Sequence, residues 1–272
     1  MEEFETPGGT VRWASSGSSP PVVLLHGTPF SSSVWRDMAS ALSERHQVFV
    51  WDMPGYGRSG KRDGQDVSLG TQAEIFASLL EHWGLESPPV VAHDFGGVVS
   101  LRAHLLHGAR YDQLALVDVV AIAPWGTPFF HLVRDNPWVF EQLPSHLHEV
   151  IVRTQTATAS AAGLRDGVLD ELVAPWLGAA GQAAYYRQIA QADQRLTDEI
   201  EPLLGTLDLP VLVGWGEADE WIPVEQGKEL ASRIPGARLR LFPGAGHLVQ
   251  EDAPAALTAT LLEFLGQPRK DA

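Results

Sequence analysis

Short apolar runs rich in β-branched residues alternate along the chain with longer segments of helical periodicity. The strand-like runs lie at residues 22–25, 47–51, 90–92, 114–123, 210–215 and 238–242. The helical segments cover residues 33–44, 71–83, 98–106 and 225–233. Continuously apolar strands that alternate with helices are typical of a parallel sheet buried on both faces. The pattern therefore predicts an α/β fold with a doubly wound, mostly parallel sheet.

One long stretch interrupts this alternation. From Trp125 to about Gly205 the sequence predicts only helices, rich in Ala, Leu and Trp. Because ligands of open α/β sheets bind at the carboxyl edge of the strands, we interpret this stretch as an inserted helical cap over that edge. The predicted organisation is a first core part at 1–124, the cap at 125–205 and a second core part at 206–272.

Composition and charge narrow the choice of partners. The 272 residues are 44% apolar, which is enough for a sizeable core and too much for disorder. The 19 basic and 34 acidic side chains give a net charge of −15, which repels nucleic acids and anionic membranes. No apolar run approaches the ~18 residues that span a bilayer, and no signal peptide is visible. We expect a cytoplasmic monomer or homodimer that binds a small, mostly apolar substrate.

Two groups of histidines could in principle bind a metal. His104 and His107 share a predicted helix face, and His146 lies near His148 and Glu149. Neither group has a further ligand at a spacing typical of metal sites, and the chain has no cysteine. We therefore expect neither a metal nor an organic cofactor.

A glycine-rich loop imitates a nucleotide-binding motif. Residues 55–60, Gly-Tyr-Gly-Arg-Ser-Gly, fit the pattern G-x-G-x-x-G. Such motifs need a helix that begins directly after them, so that its first N–H groups meet phosphate. Here a polar loop at 61–66 follows, and Arg62 stands where a P-loop requires Ser or Thr. A sharp turn after a strand is the better interpretation.

Four short motifs follow predicted strands and bear the candidate chemistry. They are Leu-His-Gly-Thr-Pro-Phe at 25–30, Val-Ala-His-Asp-Phe-Gly-Gly at 91–97, Gly-Glu-Ala-Asp-Glu-Trp at 216–221 and Gly-Ala-Gly-His at 244–247. With Asp-Met-Pro-Gly-Tyr-Gly-Arg-Ser at 52–59, they resemble the α/β-hydrolase superfamily along nearly the whole chain. The order nucleophile, acid, histidine also fits that superfamily. The resemblance implies Asp94 as nucleophile, Asp219 as acid and His247 as base.

The nucleophile position is occupied by an aspartate instead of the serine of G-x-S-x-G, and Ala92 replaces the first glycine of that motif. A carboxylate that attacks an sp³ carbon forms an ester, which histidine-activated water can cleave, whereas a serine would form a stable ether. Attack on an acyl carbon would give a reactive anhydride, which disfavours an ester or lactone hydrolase. The chain therefore resembles the epoxide hydrolase and dehalogenase branch.

The resemblance also implies roles around these three residues. His247 would activate water, and Asp219 would orient its imidazole, with Glu217 and Glu220 as rivals for that position. The backbone N–H groups of Thr28 and Phe95 would form the oxyanion hole. The proline that follows Thr28 in this motif is often cis in relatives.

Phe95 disfavours both dehalogenase interpretations. Haloalkane dehalogenases usually have a Trp directly after the nucleophile, and haloacetate dehalogenases have an Arg, but Phe95 offers neither an N–H donor nor a charge. Tryptophans 125, 138 and 176 could still bind a halide. A carbon–halogen hydrolase therefore stays as the second hypothesis, and a non-catalytic ligand-binding scaffold as the third.

An epoxide hydrolase is the first hypothesis, and it needs donors for the ring oxygen, usually two cap tyrosines. Tyr185 and Tyr186 are candidates for one of them, and the Tyr-Arg step at 186–187 favours Tyr186. Adjacent helical residues point about 100° apart, so only one of the two can face the pocket squarely. No tyrosine lies between 111 and 185, so the first cap tyrosine has no counterpart. Candidates for the missing donor are His131, Trp125, Trp138 and His148.

Overall fold

An eight-stranded sheet forms the centre of the computed structural model, which describes residues 1–267. The strands are β1 (Glu2–Thr6), β2 (Gly9–Ser16), β3 (Pro21–Leu25), β4 (Gln47–Asp52), β5 (Val90–Asp94), β6 (Leu114–Val119), β7 (Val211–Gly216) and β8 (Arg238–Phe242). Their spatial order is β1-β2-β4-β3-β5-β6-β7-β8. The pairs β1–β2 and β2–β4 are antiparallel, and all other pairs are parallel. The predicted mostly parallel sheet is confirmed.

Helices flank the sheet and fill the connections between strands. The α-helices are α1 (Arg36–Leu42), α2 (Leu69–His82), α3 (Phe95–Leu106), α4 (Pro128–Asp135), α5 (Pro137–Phe140), α6 (Ser145–Ala157), α7 (Val168–Val173), α8 (Gly178–Ala190), α9 (Arg195–Asp198), α10 (Val224–Arg233), α11 (Val249–Asp252) and α12 (Pro254–Leu265). Short 3₁₀ helices lie at Ser32–Trp35, Ala174–Trp176 and Glu201–Thr206. Within residues 1–267, no helix is long and apolar enough to cross a bilayer.

Two hydrophobic cores cover the two faces of the sheet. Val23 and Leu25 of β3 pack with side chains of α2 and α3, whereas Val22 and Leu24 pack with side chains of α1 and α12. Successive strand residues point to opposite faces, so a strand buried on both sides must be apolar at every position. This is why the central strands are recognisable in the sequence.

The structure differs from the sequence-based expectation at two places in the sheet. The hairpin β1–β2 was not predicted, because β1 lies at the sheet edge, is largely exposed and lacks a continuous apolar run. Strand β6 ends at Val119 instead of residue 123. Asp118 there has a φ of +46°, and the N–H of Val120 donates to the carbonyl of Asp94 instead of continuing the ladder with β7.

Between β6 and β7 the described chain has helices α4 to α9 and no strand. This helical segment lies against the loop after β3: the indole N–H of Trp176 donates to the carbonyl of Pro29 at 2.6 Å. It also contacts α3, where Arg102 pairs with Glu199 at 2.7 Å. The division into 1–124, 125–205 and 206–272 stays a prediction, and residues 268–272 of the last part lie outside the described residues.

Candidate active site

The turn between β5 and α3 presents Asp94 at the carboxyl edge of the sheet. Asp94 has a φ of +50°, a conformation that costs a non-glycine residue free energy and is concentrated at functional sites. Neighbouring glycines make room for the turn: a β carbon on Gly96 would lie 2.8 Å from the carbonyl oxygen of His26, and one on Gly97 would collide with Val119. Gly96 and Gly97 therefore let the turn pack closely against the ends of β3 and β6.

Three buried side chains meet at this turn. His247 Nδ1 lies 2.9 Å from Asp219 Oδ2, and His247 Nε2 lies 3.4 Å from Asp94 Oδ2. The other carboxylate oxygen of Asp94, Oδ1, accepts a hydrogen bond from the backbone N–H of Thr28 at 2.5 Å. The structure thus brings together four residues that lie far apart in the sequence.

Two opposing effects act on the pKa of His247. Burial by itself disfavours the charged imidazolium and lowers the pKa, but the carboxylates of Asp219 and Asp94 on opposite sides of the ring outweigh it. The net result is a pKa raised well above the ordinary value.

Asp219 is fixed by the turn that follows β7. Its Oδ1 accepts hydrogen bonds from the backbone N–H groups of Trp221 and Ile222 at 2.7 and 3.0 Å, which leaves Oδ2 to His247. The rival acids Glu217 and Glu220 are both exposed. Geometry thus selects Asp219 among the three carboxylates.

Asp118 is a further buried carboxyl group behind the site, and the sequence did not indicate it as a site residue. It is fully buried near the end of β6, and its Oδ1 accepts from the N–H of Gly216 at 2.8 Å. Burial and the adjacent charge of Asp219 raise the pKa of Asp118 well above its ordinary value. The only signal in the sequence was an aspartate within an otherwise apolar strand.

The loop after β3 closes one side of the site. Its Thr28–Pro29 peptide is cis. The N–H of Thr28 reaches Asp94, and Phe95 follows Asp94 directly at the start of α3. The backbone N–H of Thr28 thus faces the Asp94 carboxylate, and the oxyanion-hole roles of Thr28 and Phe95 stay predictions.

A cavity of about 50 Å³ adjoins Asp94, between the sheet edge and the helical segment. Its walls are mainly apolar and aromatic: Phe95, Val120, Trp125, Phe129, Phe130 and Ile189. Polar groups at the wall include Thr28, Tyr185 and Gln188. The cavity therefore combines an apolar interior with a small number of polar atoms next to the carboxylate.

Of the two adjacent tyrosines, the structure places Tyr185 at the cavity, contrary to the choice of Tyr186. Tyr185 lies three residues before Gln188 on α8, so the two share a helix face. Tyr186 is turned away, and its hydroxyl lies 2.9 Å from Nδ1 of His148. Burial raises the pKa of Tyr186 to about 12.

The other four candidate donors either form hydrogen bonds elsewhere or lie away from the cavity wall. Trp125 lines the cavity, but its indole N–H donates to Thr197 at 2.9 Å. His131 is not among the residues at the cavity wall. His148 is bonded to Tyr186 and to the carbonyl of Trp176, so neither ring nitrogen is directed to the cavity. Trp138 is 65% exposed.

The glycine-rich loop and the two groups of histidines singled out in the sequence do not line the cavity beside Asp94. In the Gly55–Gly60 loop the N–H of Gly55 donates to the carbonyl of Gly60, and the next helix, α2, begins only at Leu69, so no helix N-terminus follows for a phosphate. His104 bonds the carbonyl of Ala109. Among residues 1–267, no three His, Cys, Asp or Glu side chains cluster as metal ligands would.

Comparison with known proteins places this chain in a family. The family model of the alpha/beta hydrolase fold matches residues 20–254. An alpha/beta hydrolase fold protein from Burkholderia ambifaria is 48% identical, with a TM-score of 0.93 over 96% of this chain and 97% of that chain. Haloalkane dehalogenase 2 of Mycobacterium tuberculosis is 25% identical over 97% of this chain and 94% of its own length.

A more distant structure shows the same fold. The epoxide hydrolase CorEH has a TM-score of 0.82 at 21% identity, and the match covers 97% of this chain and 97% of that chain. At that identity the likeness concerns the fold alone. The family match spans most of the chain, and the protein therefore belongs to the alpha/beta hydrolase fold family and is a hydrolase of that fold.

Proposed function

We propose that the protein opens epoxides to diols through a covalent ester on Asp94. One observation carries the proposal: Asp94 at the sharp turn has Oδ1 on the N–H of Thr28 at 2.5 Å and Oδ2 facing His247 at 3.4 Å. A carboxylate there can attack an sp³ carbon and be released from the resulting ester by water.

In the first step Oδ2 of Asp94 attacks a ring carbon while the carbon–oxygen bond breaks. The departing oxygen needs a proton, and we assign its donation to the hydroxyl of Tyr185, a residue that lines the same cavity. The other oxygen of Asp94 becomes the ester carbonyl oxygen and stays on the N–H of Thr28. That N–H, with the N–H of Phe95, polarises the ester for the next step.

In the second step His247 removes a proton from water, and the hydroxide attacks the ester carbonyl. Ester formation first removes the negative charge of Asp94, one of the two carboxylates that raise the pKa of His247. The loss of that charge lowers the pKa of His247 and favours the neutral imidazole, which acts as the base. Asp219 keeps the ring oriented, with Nε2 toward the ester.

The cavity supports a small and mostly apolar substrate. Its walls are aromatic and aliphatic, and no Lys or Arg is among the residues that form them. The net charge of −15 also disfavours an anionic substrate. We therefore expect neutral aryl or alkyl epoxides in preference to substrates with a carboxylate.

Hydrolysis of a carbon–halogen bond is the second candidate. It is favoured by the 25% identity to haloalkane dehalogenase 2 along 97% of the chain. The same Asp94, His247 and Asp219 would serve, with the halogen leaving as halide. Against it, Phe95 provides no side-chain N–H, and the indole N–H of Trp125 is already bonded to Thr197.

The deciding experiment is intact-mass spectrometry of the His247→Gln variant, which should accumulate the ester because it lacks the base. The variant is incubated with aryl and alkyl epoxides and, separately, with haloalkanes and haloacetates. The double variant Asp94→Asn/His247→Gln is the matched control.

An adduct with the mass of the whole epoxide, located on Asp94 by peptide mapping and missing in the double variant, would support the proposal. An adduct equal to the halide substrate less hydrogen halide would replace it with the dehalogenase. No adduct from any panel, with tight binding of the same compounds, would point to a non-catalytic binding scaffold.

A further inference from the structure

Gln188 has an unusual hydrogen-bonding arrangement at the cavity wall. The residue is 2% exposed, and its Oε1 accepts from the hydroxyls of Thr28 at 2.7 Å and Tyr56 at 3.0 Å. A carbonyl oxygen has two lone pairs, so these two bonds satisfy it. The amide nitrogen Nε2 is buried and has no partner in the described part of the chain.

The two hydroxyls distinguish the ends of the amide. Thr28 and Tyr56 each donate their hydroxyl proton to Oε1, so the carbonyl end is satisfied and the NH₂ end is not. Gln188 lines the cavity beside Asp94. The NH₂ group is therefore the part of Gln188 that is left to bond a molecule bound there.

We propose that Gln188 Nε2 donates a hydrogen bond to the atom that leaves carbon when Asp94 attacks. This proposal rests on the function proposed above and identifies the donor that replaces the missing first cap tyrosine. Gln188 and Tyr185 are three residues apart on α8 and both line the cavity, so one bound oxygen can be approached by both.

The two donors have different tasks. As Oδ2 of Asp94 bonds to carbon, the carbon–oxygen bond breaks and its electron pair moves to the oxygen. Gln188 stabilises the developing negative charge without transferring a proton, and Tyr185 gives its hydroxyl proton to the oxygen. Hydrolysis of the ester regenerates the Asp94 carboxylate and releases a proton, which restores Tyr185.

This donor set also indicates the substrate class. An amide and a phenol bind a neutral oxygen acceptor, whereas a carboxylate substrate would require a cation that none of the cavity residues supplies. Gln155 also lines the cavity, but it is only partly buried, so solvent can satisfy it. The structure thus favours epoxides without a charged group.

The test is the rate of ester formation in the His247→Gln background, followed by intact mass against epoxide concentration. Gln188→Met keeps the length of the side chain and removes the N–H donors. We expect its maximal rate of adduct formation to fall roughly 100-fold, as for loss of one preorganised donor. The half-saturating concentration should change much less, because the donor acts mainly on the departing atom.

Two further variants separate this role from a structural one. Gln182→Met removes another glutamine of α8, whose amide donates to the carbonyl of Leu143 away from the cavity, and it should react like the parent. Gln188→Glu retains an oxygen for Thr28 and Tyr56 and loses the NH₂ donor, so it tests the proposal if Gln188→Met does not fold. It should also be slow.

The outcomes distinguish this inference from the proposed function. A slow Gln188→Met or Gln188→Glu beside an unaffected Gln182→Met supports it. Equal maximal rates in a folded Gln188 variant and the parent would overturn it while the ester mechanism stands. No adduct in the parent itself would overturn both.

Discussion

Gly27 and Asp94 are packed so closely that a β carbon on Gly27 would overlap the carboxylate of Asp94. The loop after β3 thus reaches Asp94 only because residue 27 has no side chain. This contact allows the N–H of the next residue, Thr28, to bond to Asp94 Oδ1. The position of the proposed nucleophile therefore depends on a residue to which the proposed mechanism gives no chemical role.

Gly27→Ala should lower turnover at least about 100-fold, because the carboxylate or the loop must move out of its working position. Gly70→Ala is the matched control: it lies in α2, and its nearest contact would be an ordinary 3.7 Å from Leu196. We expect Gly70→Ala to retain activity and to change the free energy of unfolding by less than about 1 kcal/mol. Equal activity of the two variants would contradict the argument.

Asp94→Asn should abolish turnover and leave the fold intact. The amide has the shape of the carboxylate and can accept from the N–H of Thr28, but it is not a nucleophile. We expect a loss of at least about 1000-fold in kcat/KM, with a melting temperature close to that of the parent. Full activity in a freshly purified sample would rule out the ester mechanism. Slow recovery with time should coincide with deamidation seen by mass spectrometry.

Tyr185→Phe and Tyr186→Phe remove the same hydroxyl from adjacent residues. Tyr185 lies at the cavity, so its variant should form the ester on Asp94 more slowly in the His247→Gln background. Tyr186 bonds to His148, so its variant should lose about 1 kcal/mol of stability and little reactivity. Rates of adduct formation and urea unfolding measure the two effects. The opposite result, with slow ester formation in Tyr186→Phe and an unchanged rate in Tyr185→Phe, would make Tyr186 the donor instead.

Asp118→Asn should change the dependence of stability on pH. Burial, and next the charge of Asp219, raise the pKa of Asp118 in the folded protein, whereas the unfolded chain has the ordinary value near 3.8. Between these two pKa values the folded state binds more protons, so the contribution of Asp118 to stability falls as the pH rises. Asparagine does not titrate and avoids this loss.

The stability of Asp118→Asn relative to the parent should therefore increase from about pH 5 to about pH 8, by at most about 1.4 kcal/mol for each pH unit. Urea unfolding of both proteins at several pH values measures the difference. Parallel curves over this range would show that Asp118 is ionised in the folded protein throughout.

The sequence alone determined the core strands and the candidate nucleophile. Strands such as β3 and β5 are buried on both faces and must be apolar at each position, which makes them visible in a single sequence. Asp94 and His247 lie in short glycine-containing motifs directly after predicted strands, so the motifs are visible in the sequence, although it is contacts with distant segments such as β3 and β6 that require Gly96 and Gly97. The edge hairpin β1–β2 was not predicted, because the exposed residues of β1 need not be apolar at every position.

Only the tertiary structure decided which polar groups face the substrate. Helical spacing shows that Tyr185 and Tyr186 point in different directions, but the rotation of α8 about its axis depends on its neighbours. The contacts of Tyr186 with His148 and of Gln188 with Thr28 set that rotation. Asp118 likewise meets Asp219 only when β6 and β7 pair. Contacts between distant segments leave no local pattern, and the donors around Asp94 are built from such contacts.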